Sequence, residues 1–234
     1  MLNAFTEAVR RSGGPAVGLI AILLTVGQPD RVSAQGFLSK FSYDNLKPSA
    51  LQLDLGPVGG NNIRGALTGG LRLDYGFIAP HVRVVLGVSY YKADFSAAAR
   101  ARFEQRLRSV VIDPSADDTI RLGRVTWSDV TGDVDLQYVL PQGRAVTTYL
   151  GIGLGAHVRH GSGPAIQGTF VQDALNSITA GLNGTIGTEV GAKRWRFVLE
   201  ARGVLSSGVS TVALRSGVAY RWAGGREKAL GTGK

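Results

Sequence analysis

The amino-acid sequence predicts an all-β protein, an eight-stranded antiparallel up-and-down transmembrane β-barrel. Three observations lead to this fold class. From Ser49 onward, apolar and polar residues alternate with a period of two, the side-chain period of a β-strand. Along the chain, short connections between the alternating segments take turns with long ones. Glycine accounts for 33 of the 234 residues, which is about twice its usual share of ~7%.

The N-terminal residues 1–34 are predicted to be a cleavable signal peptide. Two arginines precede an apolar run at residues 13–27, and small residues follow at 32–34. This order of charged, apolar and small residues is typical of a secretory signal. The apolar run is shorter than the ~20 residues that a membrane-spanning helix needs. We therefore expect cleavage after Ala34, which leaves residues 35–48 before the first strand.

The first four strands are predicted at residues 49–56, 64–77, 81–92 and 124–140. In each of them, apolar residues occupy one face and polar or charged residues the other. The apolar faces carry Leu51, Leu53 and Leu55; Leu67, Leu71, Leu73, Tyr75 and Phe77; Val82, Val84, Leu86, Val88 and Tyr90; and Val130, Val134, Leu136, Tyr138 and Leu140. Trp127 has the wrong parity for the fourth apolar face, which predicts a bulge or a position above the membrane.

The last four strands are predicted at residues 145–159, 178–192, 195–205 and 211–222. No residue on any of the eight apolar faces is charged, although 18% of the chain is charged. The apolar faces of these strands carry Val146, Leu150, Ile152, Leu154 and Val158; Ile178, Leu182, Ile186 and Val190; Trp195, Phe197, Leu199 and Leu205; and Val212, Leu214, Val218, Tyr220 and Trp222.

The connections and the aromatic residues favour an apolar face that points outward into lipid. Residues 78–80, 141–144 and 192–194 form short connections, whereas 93–123 and 160–177 are long, as in membrane barrels with short turns at one end and long loops at the other. Aromatic residues collect next to the short turns and are predicted to form an interfacial girdle of Tyr75, Phe77, Tyr138, Trp195, Phe197, Tyr220 and Trp222.

The opposite face is predicted to line the barrel interior, and it carries as many basic as acidic residues. Buried charges are tolerable only when they are paired and hydrogen-bonded, so we expect ion pairs there. Alternating glycines at 151–155 and at 181, 187 and 191 leave room for the longer side chains. The predicted interior charges are Arg72, Arg83, Arg159, Arg196, Arg202, Arg215 and Arg221 with Asp54, Asp74, Asp129, Asp133, Asp135, Glu189 and Glu200.

The last strand resembles the assembly signal of outer-membrane barrels, because Arg215 is followed by Gly217 and by two alternating aromatic residues, Tyr220 and Trp222. Residues 49–222 resemble the small outer-membrane β-barrel superfamily, which includes the transmembrane domain of outer-membrane protein A and barrels related to outer-membrane protein W. This resemblance implies a place in the bacterial outer membrane and recognition by the barrel-assembly machinery. It also implies that segments 35–48 and 223–234 are periplasmic, although in most such proteins the aromatic residue ends the chain.

Two features outside the strands could bind ligands. A basic helix is predicted at residues 97–111, and its arginines could contact lipopolysaccharide phosphates or form a solvated loop helix. The acidic residues Asp113, Asp117 and Asp118 that follow could hold a divalent cation, although their spacing is a weak signal. The predicted lipopolysaccharide contacts are Arg100, Arg102, Arg106 and Arg108.

The sequence therefore predicts a structural, anchoring or surface-interaction barrel without turnover, whose lumen is plugged by paired charges. The alternatives are a narrow channel for small or apolar solutes and a membrane enzyme that modifies lipid A. His157, His160 and Ser162 provide the residue types for such an enzyme, but nothing in the sequence places a carboxylate beside them. A soluble periplasmic lipid-binding barrel is the rival architecture. We predict no catalytic residue, cofactor, metal or nucleic-acid partner.

Overall fold

The computed structural model describes residues 41–43, 46–110, 123–142, 145–191 and 194–222. The chain divides into two units, Met1–Phe41 and Ser42–Lys234, and the described part of the second unit is a β-barrel. The predicted signal peptide, the predicted C-terminal tail and the acidic cluster Asp113, Asp117 and Asp118 lie outside the described residues.

Eight antiparallel strands pair in sequence order, and β8 pairs with β1 to close the barrel. Helix α1 (Ala97–Val110) follows β3, and helix α2 (Phe170–Leu175) follows β5. Neither helix in the described ranges has the length and apolar composition of a membrane-spanning helix. The predicted fold class is confirmed. The strands are β1 (Leu46–Gly60), β2 (Ala66–Ala79), β3 (Val82–Asp94), β4 (Thr126–Gln142), β5 (Val146–Ser162), β6 (Ser177–Val190), β7 (Trp195–Ser206) and β8 (Thr211–Arg221).

The apolar residues of the alternating pattern lie on the outside of the barrel. Ile152 and Leu154 on β5 are 68% and 70% exposed, and Leu53 on β1 is 67% exposed. Their sequence neighbours on the other face are polar or glycine and point inward. A soluble barrel would show the reverse arrangement, so this wall is suited to hydrocarbon rather than to water.

Phe77 corrects one part of the predicted pattern, because it points into the barrel and is only 4% exposed. Between Asp74 and Phe77, β2 carries one more residue than the facing segment of β3, which is a β-bulge. Gly76 adopts a φ of 97° at this point, a conformation that favours glycine. The bulge reverses the parity of the strand, so Phe77 leaves the predicted outer girdle and packs in the lumen with Val139 and Tyr149.

Trp127 needs no bulge, since β4 pairs without interruption with both of its neighbours from Thr126 onward. Its side chain shares the inward parity of Asp129 and lies at the loop end of the barrel. There the indole packs against Phe95, with the ring centroids 5.2 Å apart, and under the guanidinium of Arg159 at 5.4 Å. Trp127 is therefore part of the interior rather than of the lipid-facing girdle.

Glycines form one wall of the lumen on β5 and β6, where side chains from neighbouring strands lie over them. A Cβ atom on Gly153 would collide with the carboxylate of Asp135 and with the backbone oxygen of Val134. A Cβ atom on Gly187 would collide with the phenol of Tyr149. These glycines provide the space that the interior side chains occupy, so the predicted reason for their alternation agrees with the packing.

Replacing Gly153 with valine is expected to destabilise the barrel by about 3 kcal/mol, because the new side chain has no space between Asp135 and the β4 backbone. Gly132→Val is the matched control, since that position on β4 faces outward and a Cβ atom there would meet no other atom within 4 Å. Urea unfolding of both variants in lipid vesicles measures the difference. Equal midpoints for the two variants would contradict the close packing at Gly153.

Candidate functional site

The middle of the lumen is occupied by a cluster of charges centred on Arg72. Its Nε lies 3.2 Å from Asp54 Oδ2, and its Nη1 lies 3.5 Å from Asp135 Oδ2. The same guanidinium contacts both oxygens of Glu200 at 3.0 and 3.1 Å. Arg72 on β2 is 3% exposed and Glu200 is on β7, so this pair crosses the interior of the barrel.

Two further arginines complete this central cluster. Arg202 donates to Asp135 at 2.8 Å and lies 2.9 Å from Asp133 Oδ1. Arg215 lies 3.3 Å from Asp54 Oδ1. Four carboxylates and three guanidinium groups from five different strands are therefore joined in one buried network.

A second cluster lies toward the short-turn end. Arg83 contacts Asp74 at 3.2 Å and Glu189 at 2.7 Å. Glu189 also accepts from Arg221 at 2.6 Å, and Arg196 lies 4.0 Å from it. This cluster has three arginines and two carboxylates.

Tyr149 joins these two clusters. Its hydroxyl donates to Glu200 in the central cluster at 2.9 Å, and the guanidinium of Arg83 lies 4.8 Å from the centre of its ring. The tyrosine also belongs to the apolar group at the short-turn end that contains Phe77 and Val198. Tyr149 therefore contacts both the apolar group at the short-turn end and the ion pairs of the lumen.

The third cluster, at the loop end, is centred on Asp129. Its Oδ2 accepts from Arg159 Nε at 2.8 Å, and its Oδ1 lies 3.2 Å from His157 Nδ1. Thr131 and Tyr91 also donate to this carboxylate, at 2.8 and 3.3 Å. Asp129 is thus the centre of a buried polar group that holds β3, β4 and β5 together.

Asp129 is the carboxylate that could not be placed beside the histidines from the sequence, and it lies next to His157. The geometry nevertheless separates the residue types of the hypothetical lipid A enzyme. His157 is 3% exposed inside the lumen, whereas His160 and Ser162 have the opposite parity and lie on the outer wall. The three side chains do not converge on one point, so they do not form a nucleophile and base pair.

Little space remains between these clusters. Among the described residues, one small cavity lies at the loop end beside Tyr91, His157 and Arg215, and another lies toward the short-turn end beside Gln52 and Arg83. Each has a volume of about 20 Å³, which is enough for one or two water molecules. Charged residues of the clusters line both cavities.

Described residues of the loops after β3 and β5 pack into an apolar cap at the loop end. Ile166 is fully buried in this cap, and Leu107 of α1 and Leu175 of α2 are each less than 10% exposed. They pack with Phe95 and Val125, which lie at the two ends of the loop after β3. Neither the cap nor helix α2 was predicted from the sequence, because alternation reveals strands and not a few apolar residues scattered over two loops.

Helix α1 carries the four arginines predicted to contact lipopolysaccharide. Arg100 donates to the backbone oxygen of Gly123 at 3.1 Å, and Arg102 donates to Asn62 Oδ1 at 2.8 Å. Arg106 is exposed, and Arg108 lies in the last turn of the same helix. Two of the four side chains therefore connect α1 to neighbouring loops.

The four residues of the predicted assembly signal make different contacts in the barrel. Arg215 belongs to the central cluster, and Gly217 lies so close to the β1 backbone that a Cβ would collide with the oxygen of Leu53. Tyr220 packs against Trp195, with the ring centroids 4.9 Å apart. The indole of Trp222 donates to the backbone oxygen of Pro48 at 2.7 Å and so helps to close the barrel at β1.

The structure of Neisserial surface protein A is similar to that of this chain. It aligns with a TM-score of 0.51 at 13% sequence identity, over 74% of this chain and 96% of that protein. The chain has the fold of the small outer-membrane β-barrels. This agrees with the resemblance found in the sequence.

Two other solved barrels of this kind align less closely. The N-terminal β-barrel domain of Pseudomonas aeruginosa OprF aligns with a TM-score of 0.45 at 12% identity, over 75% of this chain and 98% of that domain. The Yersinia pestis attachment invasion locus protein Ail aligns with a TM-score of 0.41 at 14% identity, over 75% of this chain and 99% of that protein. No protein-family model and no curated protein sequence matches the chain.

Replacing Arg72 with methionine is expected to destabilise the barrel by about 3–5 kcal/mol, because Asp54, Asp135 and Glu200 lose their shared cation. Arg64→Met is the matched control, since Arg64 is exposed in the loop after β1. Urea titration of tryptophan fluorescence in vesicles compares both variants with the wild type. A midpoint for Arg72→Met at or above that of Arg64→Met would show that the central cluster does not stabilise the fold.

Proposed function

We propose that this chain is an integral protein of the bacterial outer membrane with a structural, anchoring or surface-interaction role, and that it acts without turnover. The observation that carries the proposal is the combination of an apolar outer wall with a lumen filled by ion pairs. The fold shared with Neisserial surface protein A supports the membrane location. The signal peptide predicted at residues 1–34 supplies the route of export.

The lumen is proposed to be closed to solutes. Arg72, Arg202 and Arg215 meet their carboxylates in the middle of the barrel, and the cavities on either side have room only for water. Opening a path would separate buried charges from their partners, which is costly because each would be left uncompensated. The apolar cap around Ile166 covers the loop end as a second barrier.

The proposed partners follow from the membrane location. Lipids and lipopolysaccharide would surround the apolar wall, and the arginines of α1 would lie near anionic head groups. The barrel-assembly machinery is proposed to recognise the last strand, which carries Gly217, Tyr220 and Trp222. In this role the barrel anchors its loops at the cell surface, and it exposes the cap of α1 and α2 to the outside of the cell.

We expect the mature protein to sediment with the outer membrane and to migrate faster on a denaturing gel when it is not boiled, because a closed barrel resists detergent. N-terminal sequencing of the same band is expected to begin at Gln35, the residue after the predicted cleavage site. Sequencing and gel mobility test export and barrel closure separately. Recovery in the soluble periplasm without a mobility shift would refute the membrane location.

Planar-bilayer recording tests the closed lumen. The purified wild-type protein is expected to insert without discrete conductance steps, since ion pairs fill the bore around Arg72. A general porin recorded in the same bilayers serves as the positive control for channel detection, and protease protection of the inserted protein confirms insertion. Reproducible small steps from the wild type would instead support the alternative of a narrow channel.

A further inference from the structure

A row of polar side chains crosses the outer wall near the loop end on β3, β4 and β5. In the strand register, Lys92 pairs with Ser128, and Ser128 pairs with His160, so the three residues lie side by side. All three have the outward parity. Lys92 and His160 are exposed, and Ser128 between them is partly exposed. We refer to these three residues as the Lys92 row.

The residues directly below the Lys92 row are apolar and face outward. Tyr90, Val130 and Val158 pair with one another in the same way and are 49%, 45% and 52% exposed. A tyrosine beside aliphatic residues on a barrel wall is typical of the boundary between hydrocarbon and head groups. The Lys92 row is therefore the next outward row beyond this boundary, on the side of the head groups.

The surroundings of the row leave its positive charge largely uncancelled. Asp94, two residues beyond Lys92, is the nearest acidic residue on β3, and Arg124 binds it with an Nη2–Oδ2 distance of 2.9 Å. The backbone N–H of Arg64 donates to the oxygen of Asp94 at 2.8 Å, which places another exposed basic residue beside this edge. The hydroxyl of Ser128 lies in the middle of the row and donates to the backbone oxygen of His160 at 3.4 Å.

We infer that the Lys92 row binds a phosphate group of an outer-leaflet lipid head group. Lys92 and His160 stand two strand spacings apart, about 10 Å between their backbones. A tetrahedral phosphate over Ser128 can be reached from both sides, by the long ammonium side chain and by an imidazole N–H. The lipid chains would then lie along Tyr90, Val130 and Val158. This inference rests on the proposed function, because it needs the bilayer boundary at this height.

The Lys92 row is better placed for this contact than helix α1. Arg100 and Arg102 of α1 already donate to acceptors in the loops. The row, by contrast, continues directly from the lipid-facing wall. A lipid that lies against Tyr90 and Val158 reaches the row with its head group, whereas α1 is part of the cap.

The test uses the full mature chain in phosphatidylcholine nanodiscs that contain either bis-phosphorylated lipid A or the same lipid A without its phosphates. Native mass spectrometry over a lipid A titration gives the apparent affinity. The double variant Lys92→Gln/His160→Gln is expected to bind bis-phosphorylated lipid A about tenfold more weakly than the wild type, because it loses the Lys92 charge near the membrane surface and the imidazole N–H of His160. Lys92→Arg is expected to keep most of the affinity.

The controls separate this inference from the proposed function. Arg194→Gln removes an exposed cation at the short-turn end and is expected to bind like the wild type. Phosphate-free lipid A is expected to bind all variants equally. Wild-type affinity in an inserted double variant, or a loss seen only in Arg102→Gln/Arg106→Gln, would overturn the inference alone. Failure of the wild type to insert and to shift on an unboiled gel would overturn the proposed function and this inference together.

Discussion

The narrow bore of an eight-stranded barrel is the constraint on which the rest of this structure depends. Such a barrel encloses space only for side chains, so every inward residue competes with those from the opposite wall. The chain meets this constraint because some strands carry small inward residues where others carry large ones. Glycines on β5 and β6 leave the space that Tyr149 and Asp135 occupy, and β2 and β7 supply long arginines. A side chain added to the glycine wall therefore disturbs charges that belong to other strands.

The apolar outer wall forces polar groups inward, because side chains alternate along every strand. Once inside, those groups are stable only as a connected set, and the clusters supply that connection. Neighbouring strands are already joined by backbone hydrogen bonds. The pair between Arg72 and Glu200 adds something different, since it links β2 to β7 across the lumen. Cross-lumen ion pairs thus fix the cross-section of the barrel, which backbone pairing alone leaves free to deform.

Alternation was enough to predict the eight strands and their outward faces, because each is a local property of the chain. It failed at Phe77, where one extra residue near Gly76 reverses the parity without any change in hydrophobicity. Alternation identified the charged face, but it did not identify which carboxylate each arginine contacts. Arg215 contacts Asp54 across 161 residues of sequence, and only barrel closure brings them together. The cap around Ile166 escaped prediction for a related reason, since its residues come from two loops that meet only after the barrel forms.

The pairing inside the lumen also determines which residues carry the excess charge of the chain. Among the described residues, seven arginines and seven carboxylates line the interior and balance one another. Because the chain has 26 basic and 17 acidic residues, its formal charge of +9 is carried entirely by residues other than these. The described outward-facing wall between the aromatic girdle and the row of Tyr90, Val130 and Val158 carries no charged residue, so none of this charge lies there. An apolar band with cations at its edges matches the profile of a bilayer whose head groups are anionic, and the Lys92 row lies at one such edge.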